Sequence, residues 1–170
     1  MVRVLVAKRV VLPPGKGVMK ATIERLYRLL IRAASSPQSP FLLAVRLYWG
    51  WQFAQTGWGK LGNLDHVTQF FTSLGIPAPG IMAPSIATLE FAGGILLALG
   101  LGSRAIALVL TGDMLVAYLT ADREALFSIF SDPGKFSAAA PYTYLFAVVL
   151  VLIFGPGKFS LDAVWAKRMR

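Results

Sequence analysis

Three ionisable residues stand inside otherwise apolar runs of the chain: Arg46, Glu90 and Asp113. A charge at the centre of a hydrocarbon layer costs about 2.5–3.5 kcal/mol on insertion scales, so residues of this kind pair, line a cavity or handle a proton. Gln52 and Gln55 add polarity at a depth similar to that of Arg46. Arg46, Gly50, Phe53, Gly57 and Lys60 recur at three- and four-residue steps and share one helix face. Glu90 is followed on its own face by Gly93, Gly94 and Leu97, and small residues on two faces let helices approach closely. The first two apolar segments are therefore expected to pack together with Arg46 and Glu90 inward as an ion pair. Such a pair is either a structural clamp or the charged part of a ligand, proton or quinone site. Asp113 has no second basic residue at its depth. It is protonated, shares Arg46, or faces a polar cavity, and each case puts a titratable group where a proton can be handled.

Other chemistries are excluded by residue type. The chain has no cysteine, which removes thiolate nucleophiles, disulfides and Cys-ligated metals. His66 is the single histidine and reads as a surface residue near a helix start. Gly93-Gly94 lies within an apolar segment, not between a strand and a helix, so it is no dinucleotide-binding loop. Met114, Trp49 and Trp51 read as packing or lipid-facing residues. No intrinsic cofactor is expected, and a bound quinone is the candidate cofactor.

The elements that must position these residues are membrane spans. Of 170 residues 56% are hydrophobic and 15% charged, against roughly 25% charged in soluble domains. The mean hydropathy is +0.63. The apolar segments run from about Phe41 to Leu61, Ile81 to Leu101, Ala105 to Thr120, and Pro141 to the Gly155-Pro156-Gly157 break. The fourth is shorter than the roughly 20 residues a span needs, unless it begins near Phe136. Asn63 to Gly75 reads as a short outer surface helix that Asp65 can cap. Lys60 and Arg104 fall at span ends, as interface residues do.

Residues 1–40 carry Arg3, Lys8, Arg9, Lys16, Lys20, Arg25, Arg28 and Arg32 against Glu24 alone, and no cleavable signal peptide is apparent. Val18 to Ala34 has the spacing of a basic amphipathic helix lying in the interface against anionic lipid headgroups, or on a partner subunit. Nucleic acid is not an expected partner. The tail 158–170 adds Lys158, Lys167, Arg168 and Arg170, whereas the last connection is net acidic. Both termini are then cytoplasmic and the number of spans is even. The predicted fold is an all-α four-helix transmembrane bundle over 41–157, in the cytoplasmic membrane of a bacterium or archaeon.

Arg46-Leu47 with Gly50, Phe53, Gly57 and Lys60-Leu61, then Glu90-Phe91-Ala92-Gly93-Gly94 with Leu97, Leu99 and Gly100, then Arg104 and Met114 with Ala117, and finally Gly155-Pro156-Gly157-Lys158 with Ser160-Leu161-Asp162, resemble the DoxX family over about Phe41 to Ala163. The resemblance implies a four-helix membrane bundle. It also implies roles linked to thiosulfate oxidation feeding electrons to quinone, to oxidant responses, or to accessory work beside redox enzymes. The leading expectation is a membrane subunit of a quinone-linked or redox-associated complex, with a polar pocket among the first three spans. A non-catalytic scaffold or assembly subunit is the second, and an oligomeric small-molecule transporter the third. Partners are the bilayer and other membrane subunits or further copies of the chain.

Overall fold

A computed structural model describes residues 23–28 and 37–169. Residues 23–28 are helical and belong to a first unit, Met1–Pro37; the rest of the helix expected from Val18 to Ala34, and most of the basic arm, lie outside the described residues. The second unit, Gln38–Arg170, holds the remaining elements.

The first helix of this unit, α1, runs from Gln38 to Leu61. It starts before the expected Phe41 because Pro40 sits in the first turn, where its missing N–H is not needed. After a short turn comes α2, Leu64–Ser73, with Asn63 as N-cap and Asp65 inside the first turn, not capping it. Next is α3, Pro79–Leu99, again opened by a proline in its first turn. Its link to α4, Ser103–Thr120, is three residues long, with Gly100 and Gly102 both at positive φ. Two short helices follow, α5 (Arg123–Phe127) and α6 (Pro133–Ala138). They lead into α7, Ala140–Phe154. At 15 residues α7 remains short, because Ala139 is extended and Pro141 cannot donate back to α6. The chain ends in α8, Leu161–Arg168, capped by the Ser160 hydroxyl accepting from the Ala163 amide at 3.1 Å. No strand occurs among the described residues.

Glycine sets the tightest contact. A β-carbon on Gly50 would lie 2.7 Å from the Gly94 carbonyl oxygen, and one on Gly57 would lie 2.7 Å from the Ala87 carbonyl oxygen. One on Gly94 would meet the Ala54 amide and stand 2.9 Å from Phe53 Cβ. The backbones of α1 and α3 therefore touch, antiparallel, along the small-residue faces read from the sequence. Phe53 (α1), Leu97 (α3), Ala107, Leu110 and Met114 (α4), and Val148 and Val151 (α7) form one buried core. Val67 and Phe71 of α2 pack on Ala83 of α3.

Large apolar side chains face outward on every long helix, among them Trp51, Trp58, Ile81, Leu108, Leu119 and Ile153. A water-soluble surface does not tolerate apolar area of that extent. Two helices, α3 and α4, are long and apolar enough to cross a membrane. α1 has the length but carries Arg46, Gln52, Gln55 and Lys60, and α7 is apolar but short.

Gly94→Ala is expected to destabilise the fold by about 1–3 kcal/mol, the usual cost of overpacking, because its neighbours are backbone atoms that cannot give. Gly59→Ala, which meets nothing within 4 Å, serves as control. Thermal unfolding in detergent reads the difference, and equal melting points for the two variants would refute the contact.

Candidate functional site

The charges of the apolar segments separate into two groups at opposite ends of the fold. At the α2 end, Lys60 Nζ donates to Glu90 Oε1 at 2.5 Å, with the Glu90 side chain 3% exposed and Lys60 33%. Lys60 is the residue that sequence reasoning set at an interface. Helical side chains lean toward the helix N-terminus, so a lysine at the last turn of α1 reaches back into the fold. Asp113 of α4 lines the same space as Lys60 and Glu90. One ammonium and two carboxyl groups thus converge from three helices. Glu90 Oε2 and Asp113 Oδ2 are both buried without a hydrogen-bond donor among the described residues.

These three side chains line a cavity of about 750 Å³. Its walls are mainly Phe53, Phe71, Ile86, Leu89, Val109 and Met114, with Tyr144 from α7 and His66 from α2. Tyr144 is held in place edge-on against Phe53, with ring centres 4.8 Å apart, and against Trp49 at 5.1 Å. A volume of several hundred Å³ with apolar walls and a few converging polar groups is the form of a small-molecule site. Bound there, a lipophilic molecule would bury its body against aromatic and aliphatic groups and offer its polar head to Lys60, Glu90 and Asp113.

Arg46 lies elsewhere, and the expected Arg46–Glu90 pair is not formed. The two basic residues of α1 are fourteen positions apart, roughly 21 Å along a helix. Lys60 holds Glu90, so Arg46 is out of reach. Arg46 is wholly buried and donates through Nη2 to the Phe159 carbonyl, with Nε and Nη1 unpartnered among the described residues. Around it the 155–162 segment folds back over the α3–α4 link. Asp162 accepts from the Gly102 amide at 2.8 Å and the Ser103 amide at 2.9 Å, and its own amide donates to Gly100 O at 3.0 Å. A β-carbon at Gly100 would collide with the Arg46 guanidinium. Burial pushes the Asp162 carboxyl up, yet these amide donors, with Arg46 nearby, hold it below the usual aspartate range.

Of the remaining sequence candidates, Gln52 is half-buried and Gln55 exposed, and neither lines the cavity. Arg104 is exposed beside Gly155. Met114 is buried in the core and Trp49 packs on Tyr144, whereas Trp51 faces outward. Lys60 and Tyr144 are the functional candidates that sequence reasoning did not place in the pocket. The signal for Lys60 was its position at the end of α1 that adjoins the start of α3.

A sequence model of the DoxX family matches residues 41–123. The inner membrane protein YqjF of Escherichia coli is 29% identical over 128 residues, covering 75% of this chain and 93% of that protein. The uncharacterized membrane protein Rv3486 of Mycobacterium tuberculosis is 30% identical over 141 residues, covering 76% of this chain and 83% of its own. No solved structure matches.

Lys60→Met leaves a buried carboxylate without its cation and is expected to cost about 2–3 kcal/mol, less than for a fully buried pair because Lys60 is partly exposed. Combining it with Glu90→Leu should recover most of that loss in chemical unfolding, and an unchanged single variant would show that the pair contributes nothing. At the other end, folding favours the ionised form of Asp162. Its contribution is complete above the ordinary aspartate value of roughly 4 and is lost as pH falls through the lowered folded value. Asp162→Asn should therefore reduce stability at neutral pH and flatten the acid limb of the melting-temperature profile, and an acid limb identical to the native one would contradict the cap.

Proposed function

Because this chain belongs to the DoxX family of membrane proteins, we propose that it is a multi-pass inner-membrane protein whose cavity binds a lipophilic quinone-class molecule beside a redox-associated complex. The observation that carries this reading is the cavity itself, with apolar walls that end on Lys60, Glu90 and Asp113. A quinone needs apolar contact along its ring and tail and hydrogen-bond donors at its carbonyls. Lys60 Nζ has N–H groups to spare beyond the one that Glu90 takes, and Tyr144 lines the same space. The chain has no cysteine, so thiol or iron–sulfur chemistry would come from a partner subunit.

In this reading α1, α3, α4 and α7 are four spans forming a transmembrane bundle, and both termini are cytoplasmic. The support is the basic surplus of residues 1–40 and 158–170 and the outward-facing apolar side chains. α7 covers roughly 22 Å at 1.5 Å per residue, which a locally thinned bilayer accommodates. The basic arm then meets anionic headgroups on the cytoplasmic side.

A short-chain benzoquinone should bind the native protein saturably in lipid nanodiscs. Lys60→Gln, which removes the ammonium donor, should weaken binding on the order of tenfold, the equivalent of one lost hydrogen bond to a charged group, and Ala117→Phe, which fills the cavity from α4, should weaken it as well. Non-saturable uptake, or native affinity in both variants, would reject the quinone site.

A further inference from the structure

The polar end of the cavity offers unmet acceptors as well as donors. Lys60 Nζ donates to Glu90 Oε1 at 2.5 Å and keeps its remaining N–H groups for other partners. Glu90 Oε2 and Asp113 Oδ2 are buried and receive no hydrogen bond among the described residues, although both side chains line the cavity. The Glu90 side chain is 3% exposed, so bulk solvent does not serve it. Donors in the wall do not serve these oxygens either. The threonine hydroxyls are spent within their own helices: Thr56 donates to the Phe53 carbonyl at 2.9 Å and Thr120 to the Val116 carbonyl at 2.8 Å. His66 of α2 is exposed, and Asp122 brings a further acid. A buried acceptor without a donor retains its desolvation cost, so a bound group that donates to it is favoured over one that cannot.

We propose that the cavity binds the reduced, hydroquinone form of its ligand in preference to the oxidised quinone, with Glu90 Oε2 and Asp113 Oδ2 as the acceptors that tell the two forms apart. This rests on the quinone-class reading above. The two forms share ring and tail, so the apolar wall treats them alike and the polar head distinguishes them. A quinone carbonyl accepts and never donates. It can take a Lys60 N–H, but it leaves both carboxyl oxygens unmet and sets its own lone pairs against theirs. A hydroquinone hydroxyl donates to a carboxylate oxygen and also accepts from an ammonium. A site with buried polar groups rejects the analogue that leaves them unpaired. One hydrogen bond to a charged group corresponds to a preference on the order of tenfold. A ligand held more tightly when reduced is harder to oxidise, so the midpoint potential of the bound two-electron couple rises by about 30 mV for each tenfold.

Binding of a short-chain benzoquinone and of its hydroquinone, measured anaerobically on the native protein in lipid nanodiscs, tests the preference. The hydroquinone should bind on the order of tenfold more tightly, the equivalent of that one hydrogen bond. The couple should also titrate at a higher potential than in protein-free nanodiscs. Asp113→Leu, which removes one acceptor, should bring hydroquinone affinity down toward that of the quinone, while retained quinone binding shows that the variant folds. Asp113→Asn, close to the native shape but with an N–H beside the ligand, should move the ratio the same way and serves if leucine is not tolerated. Equal affinity for the two forms, or tighter binding of the quinone, in a native protein whose binding Ala117→Phe weakens would overturn the preference and leave the quinone-class site standing. A hydroquinone preference that both Asp113 variants keep unchanged would overturn the assignment to these oxygens. Absence of saturable binding by either form would reject both readings.

Discussion

The backbone contact between α1 and α3 is the constraint on which the arrangement depends. Where Gly50, Gly57 and Gly94 face the opposite helix there is no room for a β-carbon. That contact fixes the register of the two helices, and the register decides which charge meets which. Once Gly57 lies against Ala87 and Phe91, Glu90 is level with the last turns of α1, and Lys60 is the basic residue that can reach it. The same register carries Arg46 to the opposite end, against Gly100 and the start of α4. A one-turn slip would leave both Glu90 and Arg46 buried without partners, at several kcal/mol each.

The two charged groups have different forms. Around Arg46 the chain closes in: a carbonyl, a carboxylate that caps a helix, and a two-glycine turn draw the 155–162 segment over the end of the fold, with Arg46 Nε and Nη1 left without acceptors among the described residues. That is an arrangement for holding elements together. Around Lys60 the groups are open to a cavity, and two of their acceptor oxygens lack donors among the described residues. Both ends carry unmet buried polar atoms, and it is the cavity beside Lys60, Glu90 and Asp113 that marks this end as the candidate site.

Much of this was legible in the sequence. The helical class, the membrane setting and the DoxX family follow from apolar runs, sparse charge and spaced motifs, and the small-residue faces of α1 and α3 were visible in their three- and four-residue steps. Glu90 and Asp113 were identified as unusual by depth alone, and both line the cavity. Depth could not give the partner. Lys60 follows Trp58 near a helix end and looks like an interfacial lysine, and only the lean of the side chain and the helix register turn it inward. Arg46 was misassigned because its contacts lie more than a hundred residues away in a segment past the last apolar run, which no local periodicity reports. The Asp162 cap, the α6 break before Pro141 and the aromatic wall around Tyr144 depend in the same way on elements brought together by packing.

The central claim is that the space beside Lys60, Glu90 and Asp113 is a ligand site and not a packing defect. Photo-crosslinking with an azido-quinone in lipid nanodiscs, mapped by peptide mass spectrometry, tests it most directly. The account predicts labels concentrated on cavity-lining residues such as Phe71, Leu89 and Val109, and competed away by unlabelled quinone. Labels spread over the outward-facing residues such as Leu108, Leu119 and Ile153, without competition, would contradict it.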